Sequence, residues 1–154
     1  MTGKAIAKDE EKGQLKLEVP SEVAFPEFVV DTATKSSVVE FKEKNKYLTL
    51  KDHRKNDPGW TISVSAEDLV FEEERISVSN LGIFPKDFSV NGGSKEGVVL
   101  GEEQYFTDGQ QLMVASASPG FGRGKFEFYL DLILEIPANT AVGDYQTKLI
   151  FTVQ

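Results

Sequence analysis

Apolar and polar residues alternate with a period of two along several short stretches of the chain. The clearest examples are residues 15–19, 47–52 and 60–65. Successive side chains of a β-strand point to opposite faces of the sheet, so each of these stretches predicts a strand with one face in the core. Two longer apolar stretches, residues 125–136 and 145–153, predict the longest strands of the fold.

Turn-forming residues, mainly Gly, Pro, Asn and Asp, separate the strand candidates at intervals of roughly 8–12 residues. No segment carries a convincing helical period. Many short strands joined by such turns are typical of two packed sheets. The pattern therefore predicts an all-β fold, an antiparallel β-sandwich of Ig-like or Greek-key type with little or no helix.

Two segments of the chain lack a regular strand pattern. The first thirteen residues are mostly small or charged and show no apolar period. We therefore predict a flexible N-terminal arm at residues 1–13 and a single β-sandwich domain at residues 14–154. Residues 82–101 are rich in Gly, Asn, Ser and Lys, which predicts long irregular connections around weak strands.

The charge of the chain narrows the classes of partner. Its 154 residues carry 25 acidic and 17 basic side chains, a formal net charge of −8. A chain this acidic repels phosphate backbones, so we expect no nucleic-acid partner. No apolar run approaches the roughly 18 residues that a membrane helix needs, so we expect no membrane insertion either.

The residues that carry most enzyme chemistry are scarce. The chain has no cysteine, and its one histidine, His53, lies between Asp52 and Arg54. A hydrolytic triad needs a histidine positioned to move protons, and a calcium loop needs closely spaced oxygen ligands. Neither pattern is present. We therefore predict a protein that is not an enzyme, with no catalytic residue, no cofactor and no metal site.

A glycine-rich segment at residues 120–124 precedes the first of the two long strands. It lacks the ending of a phosphate-binding loop, which favours a sharp turn of the backbone over a nucleotide site. Phe121 stands alone among glycines and is the best candidate for an exposed aromatic side chain. Arg123 is a candidate for contact with an anionic ligand.

The stretch around the single tryptophan combines several features. Asp52 and Arg54 are two positions apart, so on a strand their side chains share a face and can pair. Gly59 has few steric limits and comes directly before Trp60. Trp60 and Ile62 then begin an apolar stripe, which suits a strand with one buried face.

The C-terminal stretch has a matching organisation. Pro137 ends one strand, and a turn with Gly143 and Tyr145 follows it. An apolar stripe that includes Phe151 and Val153 then closes the chain. Trp60 and Phe151 begin stripes of equal length. We predict that these two rings lie on neighbouring strands and pack together.

Together the two stretches resemble the WxL domain family of Gram-positive cell-surface proteins. That family has an Asp-x-Arg, a loop and a Gly-Trp-Thr that opens a strand, and it ends with a proline, a Gly-x-Tyr turn and a second Trp-x-Leu. Here the two motifs read Trp60-Thr61-Ile62 and Phe151-Thr152-Val153. Apolar character is kept, but Phe151 lacks an indole N–H. We therefore expect a divergent member.

The resemblance implies a secreted, non-catalytic binding domain at the cell wall and cell surface. It would attach non-covalently to the wall through peptidoglycan or another wall glycan, and it could also work with other surface proteins in adhesion. We expect that a leader peptide preceded Met1. Five residues are candidates for ligand contact: Asp52, Arg54, Trp60, Phe121 and Arg123.

Two questions stay open at this point. Trp60 and Phe151 are either ligand contacts or core residues of the fold, and Asp52 and Arg54 have either a binding role or a purely structural one. An alternative function is a protein–protein interaction or adhesin module that binds a partner surface protein or host matrix. Its acidic surface would then attract a basic partner.

Overall fold

Two β-sheets pack face to face in the structure. The computed structural model describes the backbone of residues 1–154 and every side chain except those of residues 10–12. Within these residues the fold is all β apart from one turn of 3₁₀ helix at Val78–Asn80. The predicted all-β sandwich is confirmed.

Sixteen strands build the two sheets. In chain order they are β1 (Thr2–Ile6), β2 (Glu10–Lys12), β3 (Leu15–Glu18), β4 (Glu22–Ala24), β5 (Lys35–Glu40), β6 (Lys42–Glu43), β7 (Lys46–Asp52), β8 (Trp60–Ala66), β9 (Leu69–Phe71), β10 (Glu74–Ile76), β11 (Leu81–Asn91), β12 (Val98–Leu100), β13 (Gln104–Tyr105), β14 (Leu112–Ala117), β15 (Gly124–Ile136) and β16 (Asp144–Val153).

The first sheet has the order β10-β9-β16-β8-β14-β12, with β1 also on β16 and β4 on β1. The second sheet has the order β13-β11-β15-β7-β3-β2, with β5 also on β15 and β6 on β7. The strand that carries Trp60, β8, lies between β16 and β14, so its backbone is paired on both sides. This central place fixes the position of Trp60.

The core lies between the inner faces of the two sheets. Along β15 the residues Phe126, Phe128, Leu130 and Leu132 alternate with more exposed ones and are fully buried. Aromatic rings join the sheets, since Trp60 of the first sheet packs edge-on against Phe126 and Phe128 of the second. Burial of these rings stabilises both the sandwich and the loop that precedes the start of β15.

Residues 82–101 differ from the predicted irregular connections. Half of them, residues 82–91, belong to β11, which pairs with β15 along ten positions. The register shifts between Pro85 and Asp87, where a bulge breaks the period of two. Because proline and the bulge interrupt the alternation, the sequence pattern hides a long central strand.

The N-terminal segment differs from the predicted flexible arm. Thr2–Ile6 form β1, which pairs in parallel with β16 and antiparallel with β4. The inward residues are small, and Ala5 and Ala7 are buried against the core. Small side chains give a weak apolar period, which explains why the pattern did not indicate a strand. The assignment of residues 14–154 to a single domain stays a prediction.

Candidate functional site

A buried ion pair closes the loop between β7 and β8. Asp52 is fully buried, and its carboxylate accepts hydrogen bonds from Arg54 Nε at 2.9 Å and from Arg54 Nη2 at 3.0 Å. Arg54 Nη2 also donates to the carbonyl oxygen of Gly59 at 2.8 Å. The predicted pairing of Asp52 and Arg54 is confirmed, and it draws the two ends of the loop together.

The charge of Arg54 suits this role. The hydrogen bond to Asp52 raises the pKa of the guanidinium above its ordinary value, although burial acts in the opposite direction. Arg54 is therefore a permanent cation whose strongest contacts lie within the protein. Its neighbour His53 is exposed to solvent directly after the end of β7.

Trp60 is a core residue with a polar anchor. Its side chain is buried, and its indole Nε1 donates a 2.7 Å hydrogen bond to the carbonyl oxygen of Gly122. Gly122 has φ +85°, and a Cβ there would lie 2.5 Å from Trp60 Nε1. Only glycine allows this close approach. Trp60 thus holds the glycine-rich loop onto the first sheet.

Three loops meet at this end of the sandwich: residues 53–59, 92–97 and 118–123, here called the three-loop end. Two backbone hydrogen bonds link them, from Gly120 N to Asp57 O at 2.8 Å and from Ser118 N to Gly97 O at 3.1 Å. Gly59 is buried and packs against the backbone at Ala117. Its lack of a side chain allows the first and third loops to touch.

Phe121 and Arg123 lie on the outside of the three-loop end. The Phe121 ring packs against Gly97, where a Cβ would collide with it, and 36% of the residue remains exposed. Arg123 is exposed, and within the described side chains no carboxylate lies within 4.0 Å of its guanidinium. These are the two predicted ligand contacts that the structure leaves accessible.

The three-loop end is locally basic on an acidic protein. Arg54 is neutralised by Asp52, and the loops otherwise contain the three cations Lys55, Lys95 and Arg123 against the two carboxylates of Asp57 and Glu96. Lys55 and Lys95 are exposed and were not among the predicted contacts. The sequence of each loop taken alone does not indicate these two lysines, because their significance depends on the other loops that fold beside them.

The turn that begins the second sequence stretch, between β15 and β16, lies at the opposite end of the sheets. The turn after β15 is closed by Thr140 Oγ1, which donates to the carbonyl oxygen of Pro137 at 2.6 Å. The buried Tyr145 donates its hydroxyl to Ala141 O at 2.8 Å, and Gly143 lies against the Phe71 ring. These contacts hold the start of β16 in place.

The predicted packing of Trp60 against Phe151 is wrong. Their strands are neighbours, but the register places Phe151 opposite Val64 and Val153 opposite Ile62. The Phe151 ring instead stacks on Phe41 with centroids 5.5 Å apart. Each motif therefore contributes separately to the core, and Ile62, Phe151 and Val153 are buried.

The family of the chain follows from a direct comparison. The family model WxL, described as WxL domain surface cell wall-binding, matches residues 2–154. The chain belongs to the WxL family. As a WxL domain it is a cell-surface domain that binds the cell wall, and its family is a binding family and not a catalytic one. Comparison with curated proteins and with solved structures gives no match.

The WxL motifs of this chain have distinct structural roles. The first motif, Trp60-Thr61-Ile62, begins β8, and its indole N–H holds the three-loop end by a hydrogen bond to Gly122. The second, Phe151-Thr152-Val153, ends β16 inside the core, where its ring makes an apolar stack. Phenylalanine can take the place of tryptophan in the second motif of this WxL domain, because the ring makes only an apolar contact there. Among the described residues, no helix is long and apolar enough to cross a membrane.

Proposed function

We propose that this WxL domain attaches non-covalently to peptidoglycan of the Gram-positive cell wall through its three-loop end. The observation that carries the proposal is that Phe121 and Arg123 are both exposed on the loop 118–123, whose Gly122 is hydrogen-bonded to the buried Trp60. A secreted protein at the wall surface meets peptidoglycan as its most abundant polymer. No bond of the wall is broken in this mechanism.

The residues of the site divide into two groups. Asp52 and Trp60 are buried, and their polar atoms are occupied within the protein, so they act as positioning residues together with Arg54. Phe121 and Arg123 make the contacts. A loop held in one conformation loses little entropy on binding, which favours affinity.

The chemistry of peptidoglycan suits the accessible pair. Its short peptides carry carboxylates, which a guanidinium binds by charge-assisted hydrogen bonds. The apolar parts of the peptide or sugar pack on the Phe121 ring. The local excess of cations attracts such a ligand, although the chain as a whole is acidic.

Sedimentation with purified peptidoglycan tests the proposal. We expect the wild-type domain to pellet with the polymer and Arg123→Ala to stay largely in the supernatant. Arg75→Ala is the matched control, because Arg75 is also exposed but lies on the β9–β10 hairpin. Equal sedimentation of Arg123→Ala and Arg75→Ala would show that the three-loop end is not the contact.

A second candidate function is a protein–protein or adhesin module for a partner surface protein or host matrix. A patch on the outer face of the second sheet favours it, in which the exposed side chains of Val38, Phe84 and Tyr105 surround the buried Ile133 of β15. Capture of one defined surface protein, lost in Phe84→Ala while sedimentation with peptidoglycan persists, would support this function.

A further inference from the structure

The outer face of the second sheet changes from polar to apolar along β15. Near the end of the strand its outward residue Ile133 pairs with Val38 in the apolar patch. Toward the start of the strand the outward residues are Glu127 and Lys125, which point the same way as Tyr129. The polar half begins two residues after Arg123, so it is continuous with the three-loop end.

A groove of about 680 Å³ lies over this polar half. The floor holds Glu18, Thr49 and Glu127, which adjoin one another across β3, β7 and β15. The β6–β7 hairpin, with Lys44 and Asn45 at its turn, forms one wall. The volume falls within the range of roughly 300–1,000 Å³ that is common for ligand sites.

The wall of the groove is held in place by contacts on both sides. Ser21 Oγ lies 2.9 and 3.0 Å from the two carboxylate oxygens of Glu43, to which it donates. The Tyr47 ring meets the Tyr129 ring edge-on, with centroids 4.9 Å apart. The groove is therefore formed before any ligand arrives, which lowers the entropy lost on binding.

The charges of the groove are balanced. Its lining contains the three glutamates Glu18, Glu43 and Glu127 and the three lysines Lys44, Lys46 and Lys125. A polyanion such as a phosphate polymer gains no net attraction from such a lining. An uncharged ligand with many hydroxyl and amide groups gains more, because carboxylates, amines and the Asn45 amide supply both acceptors and donors.

The aromatic side chain of the groove points to the same class of ligand. Tyr47 is the one aromatic residue of the lining, beside polar and charged neighbours. A sugar ring has an apolar face of C–H groups and a rim of hydroxyls, so it can pack on an aromatic ring while its rim is hydrogen-bonded. An apolar ligand would leave the polar groups of the lining without a partner, and a strongly charged ligand would leave the Tyr47 ring without one.

We propose that this groove binds an uncharged segment of the glycan strand of the wall, with Tyr47 against a sugar ring and Glu127 and Asn45 on its polar groups. This inference rests on the proposed binding of peptidoglycan and adds a second contact surface to it. Arg123 and Phe121 at the groove's end would then contact the peptide that branches from the same strand.

Binding of uncharged, peptide-free oligomers of N-acetylglucosamine tests the groove by calorimetry. We expect wild type to bind, and Glu127→Gln or Asn45→Ala to weaken the affinity roughly tenfold. Glu135→Gln is the matched control. Glu135 lies on the same strand and face as Glu127, roughly 27 Å away at 3.4 Å per residue, and each accepts a tyrosine hydroxyl bond.

The outcomes separate the groove from the proposed function. Binding to intact peptidoglycan without any binding to the uncharged oligomers would overturn the groove and leave the proposed function standing. Glycan affinity that is unchanged in both Glu127→Gln and Asn45→Ala would also overturn it. Circular dichroism of each variant confirms that the sandwich is folded, and a loss confined to the two groove variants supports the groove.

Discussion

The indole Nε1 of Trp60 donates a hydrogen bond of 2.7 Å to the carbonyl oxygen of Gly122, 62 positions later in the chain. This contact joins the tryptophan motif to the glycine-rich loop that carries Phe121 and Arg123. The most distinctive residue of the sequence therefore supports, from inside the core, the surface that we propose binds the wall. Its ring stays in the core, against Phe126 and Phe128.

Alanine at position 122 tests how closely the loop fits on Trp60. Gly122→Ala adds a Cβ that would lie 2.5 Å from Trp60 Nε1, at φ +85°. We expect a loss of about 3 kcal/mol in the free energy of unfolding, from backbone strain and from the collision. Urea denaturation measures it.

Gly120→Ala is the control for that substitution. Gly120 has a similar φ of +87°, but a Cβ there meets nothing within 4 Å. We expect a loss of only about 1 kcal/mol, from backbone strain alone. Equal losses in Gly120→Ala and Gly122→Ala would contradict the close packing of the loop on the indole.

Lysine in place of Arg54 tests the ion pair beneath the loop. The lysine amine lacks the planar fork that reaches both Asp52 and the Gly59 carbonyl. We expect Arg54→Lys to destabilise the fold by about 2 kcal/mol in thermal or urea unfolding. Arg75→Lys should change stability by less than about 0.5 kcal/mol, because Arg75 is exposed. A similar effect of both would exclude a special role for Arg54.

The pH dependence of stability tests the ion pairs of Glu18. Burial raises the pKa of Glu18, but hydrogen bonds from Lys51 and Lys16 outweigh it, so the pKa lies below its ordinary value of 4.5. A lowered pKa in the folded state contributes stability above pH 4.5 that is lost as the pH falls through the folded pKa.

The Glu18→Gln variant isolates that contribution. Above pH 4.5 wild type should be more stable than the variant, and the difference in free energy of unfolding should shrink as the solution is acidified below pH 4.5. Urea titrations at several pH values measure the difference. A difference that stays constant down to pH 2 would show that Glu18 has no lowered pKa.

The sequence pattern predicted the strands correctly where apolar and polar residues alternate regularly. The strand from Trp60 to Ala66 and the two long C-terminal strands follow from the period of two, because each has one buried face. It failed where small residues or a bulge weaken the period, as at Ala5 in β1 and at Pro85 in β11. Their burial depends on pairing with distant strands.

The candidate site was only partly predictable from the sequence. The pairing of Asp52 with Arg54 is local and follows from a spacing of two residues. The contact of Trp60 with Gly122 and that of Phe121 with Gly97 join loops far apart in sequence. No local pattern encodes them. The mistaken pairing of Trp60 with Phe151 has the same cause, because neighbouring strands do not by themselves determine the register.

The affinity of the domain for purified peptidoglycan tests the central claim most directly. Three proteins are compared in equilibrium binding: wild type, Phe121→Ala/Arg123→Ala, and the matched Phe84→Ala/Arg75→Ala, whose residues are also exposed but lie away from the three-loop end. We predict that the first double variant loses at least about tenfold in affinity and that the second stays within about twofold of wild type. Equal affinities of the two double variants would contradict wall binding through the three-loop end.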